Sequence, residues 1–210
     1  MVRFAASTLL LGLLCSVGGA EPPLSASDAP AGWKRISFAE ATGQEWIFGA
    51  LDLEFIIPTD YIIDSSDDDI DRTFWGVEAD LERFRRTGSI KPRKLKRGAF
   101  LLTFPSLEVA YDWNTEEFTE EITLPDEGSK FPNSSARLVR KERRSIGEYP
   151  VLLIEVVRRG KHHTYFCFIG NPQNDAVLII DYWAPYGESH ESIWSQFTTA
   201  IRQVPLRFFM

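Results

Sequence analysis

The chain contains 210 residues, with 23 Lys and Arg against 30 Asp and Glu, so that its formal net charge at pH 7 is −7. Apolar residues make up 44% of the sequence and aromatic residues 13%. This composition excludes a basic nucleic-acid-binding protein, a collagen-like or low-complexity chain and a highly charged disordered chain. It predicts a single globular domain whose core is rich in aromatic side chains.

The first twenty residues have the pattern of a secretory signal peptide. Arg3 provides a positive start, residues 9–14 form an apolar run, and small residues precede a cleavage site near Ala20. We therefore expect removal of residues 1–20 and an exported protein, periplasmic or secreted, without a transmembrane anchor. Lipidation of Cys15 is the less favoured alternative, because the residues before it do not form a lipobox.

The mature chain is expected to begin with a flexible lead-in over residues 21–32, which are rich in Pro, Ala and Ser. A single globular domain follows over residues 33–208. Residues 44–63 alternate between apolar and other side chains around Gly49. This alternation predicts a hairpin or two early strands, with Pro58 at the end or edge of the second.

An acidic run over residues 64–71 comes next, and apolar residues then recur at steps of three and four. This spacing predicts a helix from Asp71 to Thr87 that ends at Gly88. Aspartates stand at the start of the predicted helix and arginines at its end, which is the arrangement that the helix dipole favours. The basic residues continue into a predicted loop over residues 91–97.

The C-terminal third gives the clearest structural signal. Apolar runs at residues 151–157, 163–169 and 176–183, separated by turn residues, predict an antiparallel meander. Both alternating faces of these strands are apolar, so both faces of the sheet must be covered. A closing helix over residues 189–204 has an apolar stripe and is expected to cover one face, and the first helix the other.

Apolar alternation also returns at residues 99–113 and 118–124. Taken together, the elements predict an α+β fold in the order β-β-α-β-β-β-β-β-α. The predicted architecture is an antiparallel sheet of six or seven strands sandwiched between helices, without a second domain.

Three local patterns stand out beside the element order: the predicted strand Leu53–Pro58, residues 147–154 at the opening of a long hairpin, and Trp194 with Phe197 on the closing helix. Together with the element order they resemble the Mog1/PsbP-like fold. The resemblance implies an α/β/α sandwich and non-catalytic binding to another protein. It rests on topology and apolar rhythm and assigns no functional residue.

The acidic run is a candidate cation site. Four acidic residues have the spacing of ligand positions in an EF-hand loop: Asp67, Asp69, Asp71 and Glu78. Carboxylate oxygens suit Ca²⁺, although Arg72 stands where the EF-hand has a turn glycine. Calcium binding through the cluster from Asp64 to Asp71 is one hypothesis, and ordinary helix-start aspartates are the alternative. No other cofactor is expected.

The basic segment is the second candidate site, and its cations are Arg83, Arg85, Arg86, Lys91, Arg93, Lys94, Lys96 and Arg97. Such a segment can meet phosphates, lipid headgroups or an acidic protein, whereas nucleic acid is not expected for an exported acidic chain. The alternative is a solvated loop that neutralises the acidic run. We expect Arg93, Lys94, Lys96 and Arg97 to bind a protein partner with an acidic face.

An aromatic loop joins the last long strand to the closing helix, with Trp183 and Tyr186 at its two ends. These rings either pack on the end of the sheet or form an exposed contact for a partner. We include Trp183 and Tyr186 among the residues predicted to bind a protein partner.

No catalytic motif is evident. His162 and His163 are adjacent on a predicted strand and project to opposite faces, so they do not share a metal ion. Cys167 lies in an aromatic strand and is expected to be a buried small apolar residue. A triad scattered in the sequence, for example around His163 and Asp181, stays open as a hydrolase hypothesis.

The sequence therefore favours an exported, non-catalytic protein-binding or accessory protein of the cell envelope. A narrower alternative is an inhibitor or immunity protein that neutralises a secreted toxin or enzyme through a charged face. A calcium-binding module and an unrecognised hydrolase are the remaining alternatives.

Overall fold

The computed structural model describes residues 29–42, 52–65, 72–89, 91–103, 111–112, 117–118, 123–132, 134–159, 161–172, 176–188 and 190–204. The strands are β1 (Trp33–Ser37), β2 (Leu53–Pro58), β3 (Ile62–Ser65), β4 (Arg72–Gly76), β5 (Ala99–Thr103), β6 (Tyr111–Asp112), β7 (Glu117–Phe118), β8 (Ala136–Ile146), β9 (Tyr149–Arg158), β10 (His162–Asn171), β11 (Ala176–Trp183) and β12 (Arg202–Gln203). The helices are α1 (Phe38–Thr42), α2 (Glu78–Thr87) and α3 (Glu191–Ala200), with a 3₁₀ turn at Pro92–Lys94. Among these helices, none has the length and apolar character needed to cross a bilayer.

Seven strands form the main sheet in the order β3-β4-β5-β11-β10-β9-β8, and every neighbouring pair is antiparallel. A smaller sheet, β1-β2-β12, packs beside it. The α+β class and the number of strands predicted from the sequence are confirmed. The three C-terminal apolar runs fall within β9, β10 and β11, as their two-sided hydrophobicity predicts.

The first face of the main sheet carries the larger core. Trp194 and Phe197 of α3 are buried against Tyr165, Tyr182 and Phe100 of the sheet. The rings of Phe100 and Phe197 have centroids 4.7 Å apart. The apolar stripe of the closing helix therefore covers this face, with the smaller sheet filling the remaining area.

Different elements cover the two ends of the second face of the main sheet. Helix α2 packs Leu81 and Phe84 against Phe74 at the β4 and β5 end. At the β8 to β10 end, Phe118 and Phe131 take the place of a helix. The expectation that the first helix covers this face holds for one end only, because a helix of ten residues is too short to span seven strands.

The predicted start of the first helix is wrong. Residues 72–76 form strand β4, which pairs with both β3 and β5, and α2 begins only at Glu78. Phe74 fits the spacing of an apolar helix face, but it lies in strand β4 and packs against Leu81 of α2. The same spacing is therefore compatible with either a helix or a strand at this position. The predicted end is confirmed, since Gly88 is left-handed with φ of 60° and donates its N–H to the Phe84 carbonyl.

Two other parts of the fold differ from what the sequence predicts. Strand β2 of the early predicted pair joins the smaller sheet and not the main one, while Gly49 lies outside the described residues. Strand β8 was not predicted, because as an edge strand it exposes most of its side chains and lacks an apolar rhythm.

Candidate functional site

A cleft lined mainly by basic residues lies at the end of the main sheet where β9 turns into β10, and we call it the basic cleft. Its volume is about 510 Å³. Its lining residues come from four separate segments: Lys91, Pro92, Arg93, Lys94, Ser134, Ser135, Arg158, Arg159, His162 and Tyr186. The fold thus gathers cations that are far apart in the sequence.

The β9–β10 turn brings two of the arginines to this end of the sheet. Arg158 and His162 form the last cross-strand pair of β9 and β10. The turn is closed by the Lys161 N–H, which donates to the Arg158 carbonyl over 3.1 Å, and Arg159 has a left-handed φ of 53°. This geometry makes a tight hairpin that ends in adjacent guanidinium groups.

A buried carboxylate holds the loop that supplies the other cations. The Lys96 N–H donates to both carboxylate oxygens of Asp80, at 2.9 and 3.1 Å. The Asp80 side chain is fully buried and also accepts a bond from Arg83, which in turn donates to the Lys94 carbonyl. These charge-assisted bonds fix the loop against α2 and leave the side chains of Arg93 and Lys94 at the cleft.

Backbone hydrogen bonds tie the four segments together, and the Arg159 N–H connects the segment of Ser134 and Ser135 by donating to the Ser135 carbonyl over 3.4 Å. Tyr186 donates its N–H to the Pro92 carbonyl over 3.2 Å, and Gly187 donates to the Lys161 carbonyl over 2.8 Å. The Arg93 guanidinium also lies 4.9 Å from the centre of the Tyr186 ring, in a cation–π contact. The cleft is therefore preformed by its scaffold.

Among the residues that the structure describes, no carboxylate neutralises the cations of the basic cleft. Within the described residues, none of Lys91, Arg93, Lys94, Arg158 and Arg159 forms an ion pair with a carboxylate. Other cations of the chain are paired, as in the contacts of Arg85 with Asp64 at 2.9 Å and of Arg97 with Asp60. The unpaired set focuses positive potential in one concavity of an acidic protein, which attracts anions.

His162 adds a titratable group to the cleft. Burial lowers the pKa of His162, and the charges of Arg158 and His163 lower it further. Its Nε2 atom is buried and has no hydrogen-bond partner among the described residues. An anion in the cleft would offset the field of Arg158 and favour the protonated imidazole.

An apolar groove adjoins the basic cleft on the second face of the sheet. Its volume is about 340 Å³. Its lining is Leu124, Phe131, Ser134, Ala136, Ile154, Val156, Arg158, Phe166 and Phe168. Ser134 and Arg158 line both concavities, so the two are contiguous.

The structure separates the basic residues predicted to bind a partner. Arg93, Lys94 and Tyr186 line the basic cleft, and Tyr186 is 38% exposed. Lys96 and Arg97 do not line it.

Trp183 is half-buried, with its ring centroid 5.4 Å from that of His162. Arg158 and Arg159 also line the cleft but were not predicted as site residues, since their only signal in the sequence is a basic dipeptide at a predicted turn.

The calcium hypothesis falls mostly on residues that the structure does not describe, since Asp67, Asp69 and Asp71 lie outside the described ranges. Glu78 is exposed and lies 3.6 Å from Arg85. The described residues contain no group of three or more His, Cys, Asp or Glu side chains placed to hold a metal ion.

The candidate catalytic residues are kept apart. His163 bonds Glu155 at 2.8 Å on the first face of the sheet, whereas Asp181 pairs across strands with Phe166 on the second face. These two residues therefore do not form a triad. Cys167 is fully buried, and burial raises the pKa of its thiol to about 12, so it is not a thiolate at neutral pH.

Comparison with known proteins gives matches at the level of the fold alone. No protein-family model and no curated protein matches the chain. It is similar to cyanobacterial PsbP (CyanoP) from Synechocystis sp. PCC 6803, with 12% identity and a TM-score of 0.48 over 92% of this chain and 100% of that one. It is also similar to the Saccharomyces cerevisiae Ran-binding protein Mog1p, with 10% identity and a TM-score of 0.41 over 82% of this chain and 95% of that one. Both are of the fold type that the sequence resembles.

Proposed function

We propose that the protein is a non-catalytic binding protein that takes an acidic segment of a partner protein into its basic cleft. The observation that carries the proposal is the set of five cations in a preformed cleft, none paired with a carboxylate within the described residues. Keeping like charges together opposes folding, and an acidic partner offsets that repulsion.

The expected energy of such a contact is moderate. Exposed ion pairs contribute about 0.2–1 kcal/mol each, so five of them give about 1–5 kcal/mol before the cost of association. The electrostatic part also speeds association and weakens as salt is added. A reversible, salt-sensitive complex suits an accessory protein.

Export remains part of the proposal. The pattern of residues 1–20 supports a periplasmic or secreted location, where the cleft would meet proteins of the cell envelope. An inhibitor of a secreted enzyme is a narrower form of the same function.

The test measures binding of fluorescein-labelled hexaglutamate by fluorescence anisotropy. The variant Lys94→Glu/Arg158→Glu changes two cleft cations. Its control, Arg86→Glu/Lys141→Glu, makes the same change in net charge at exposed cations outside the cleft. We expect the cleft variant to lose at least about tenfold in affinity, because two contacts of about 0.7 kcal/mol sum to the 1.4 kcal/mol of a tenfold change.

The control should keep its affinity within about twofold, and raising NaCl from about 50 to about 300 mM should weaken binding to the unmodified protein. Equal losses in the two variants would mean that overall charge, and not the cleft, attracts the peptide. Absence of binding to the unmodified protein would contradict the proposed function.

A further inference from the structure

Side chains on one face of strand β9 line both the apolar groove and the basic cleft. Ile154 and Val156 of β9 and Arg158 point to one face at alternate positions, and the cross-strand partner of Ile154 is Phe166. At about 3.3 Å per residue, Ile154 and Arg158 are about 13 Å apart along the strand. A ligand of the length of a few residues can therefore reach both the cations and the groove.

The groove is built from apolar side chains that the described residues leave partly uncovered. Leu124, Phe131 and Phe166 are each only half-buried, although they pack against the buried core of the second face. Partly exposed aromatic and aliphatic side chains next to a charged rim are typical of a binding surface. The volume of about 340 Å³ is sufficient for one large apolar side chain with some backbone.

The number of cations decides between two kinds of ligand. A single carboxylate or phosphate head on an acyl chain would engage one or two of the cleft cations. Lys91, Arg93, Lys94, Arg158 and Arg159 together match several carboxylates spaced along a chain. A peptide segment supplies such carboxylates, and the contiguous groove then receives a neighbouring side chain.

We infer that the segment recognised by this protein combines acidic residues with one large apolar side chain, the acids lying in the basic cleft and the apolar side chain in the groove. This inference rests on the proposed function, since it specifies the partner of the same site. Arg158 and Ser134, which line both concavities, mark the point where a carboxylate and the apolar side chain are neighbours. The groove makes the site selective among acidic sequences.

The test compares two labelled peptides of equal charge, Glu-Glu-Leu-Glu-Glu-Glu and Glu-Glu-Ser-Glu-Glu-Glu. We expect the leucine peptide to bind the unmodified protein about tenfold more tightly, which is the gain of burying one aliphatic side chain. In the variant Leu124→Gln/Phe131→Gln this ratio should fall to about one, with the serine peptide bound as before. The control Val139→Gln changes an exposed apolar side chain outside the groove and should keep the ratio.

Amide chemical shifts provide a readout that does not depend on a variant that folds. The leucine peptide, and not the serine peptide, should shift amides of residues 152–156 and 166–168 in the ¹H–¹⁵N spectrum of the unmodified protein. Equal affinities with no such shifts would overturn this inference and leave the proposed function standing. Failure of both peptides to bind would overturn the inference and the proposed function together. If dodecyl phosphate binds more tightly and displaces the leucine peptide, the ligand is an anionic amphiphile and the inference is overturned.

Discussion

Replacing Asp181 by Asn tests whether the second face of the sheet contains an unpaired acid. Asp181 lies on β11 between Leu101 of β5 and Phe166 of β10. Its Oδ1 atom is buried and has no hydrogen-bond partner among the described residues. Burial accordingly raises the pKa of Asp181 from 3.8 to about 7. The amide of Asn has nearly the same shape and no charge.

The size of the effect follows from the pKa shift. About three pKa units at about 1.4 kcal/mol each give about 4 kcal/mol in favour of the protonated acid in the folded state. Because the folded pKa is the higher one, this stabilisation is complete below pH 3.8 and is lost as the pH rises to about 7. Above that pH the folded protein holds a desolvated carboxylate, and Asp181→Asn should then be more stable by about 2–4 kcal/mol.

The assay is urea unfolding followed by tryptophan fluorescence at about pH 5 and about pH 8. The difference in the free energy of unfolding between Asp181→Asn and the unmodified protein should change by about 3 kcal/mol between these pH values, in favour of the variant at the higher pH. Asp126→Asn, at an exposed loop acid, is the control and should change little. A variant that is no more stable at about pH 8, or a difference that is independent of pH, would refute the reasoning.

Three further predictions concern the cleft and its supports. Because burial lowers the pKa of His162, its imidazole should take up a proton when hexaglutamate binds. The affinity should therefore rise as the pH falls from about 8 to about 6, and calorimetry in two buffers should detect the proton uptake. The variant His162→Gln should show neither effect. Asp80→Asn should speed hydrogen exchange at the Lys96 amide and weaken hexaglutamate binding severalfold, and an unchanged exchange rate would contradict the anchoring role. Gly98→Ala should lower the free energy of unfolding by more than about 2 kcal/mol in chemical denaturation, since φ is 99° and the added Cβ would meet Tyr182 Oη at 2.5 Å; a neutral substitution would show that the backbone relaxes there.

The sequence predicted best those elements whose side chains are buried on both faces. Strands β9, β10 and β11 were found because burial on both sides demands unbroken apolar runs, which few other structures require. Edge strand β8 was missed because solvent covers most of its side chains and no rhythm results. The start of α2 was misplaced because Phe74 fits either a helix or a strand, and only pairing with β5 decides between them.

The candidate site was predicted in part for a related reason. The basic run at residues 91–97 is visible as composition, and Arg93 and Lys94 do line the cleft. Arg158 and Arg159 are separated from that run by more than sixty residues, and the pairings of β9 with β10, β10 with β11 and β11 with β5 bring them to the same end of the sheet. Local sequence patterns do not contain such long-range neighbours.

The burial of Cys167 makes its thiol a reporter of local unfolding in the core. In a chain without residues 1–20 it is the sole thiol, and it lies on β10 with both neighbouring strands paired to it and no solvent-exposed area. A thiol reagent such as an aromatic disulfide can react with it only when α3 or the smaller sheet moves away from the first face, because these elements cover the core in which the thiol lies. The rate of labelling under native conditions therefore reports how often the core of the first face becomes accessible to solvent, without any engineered probe.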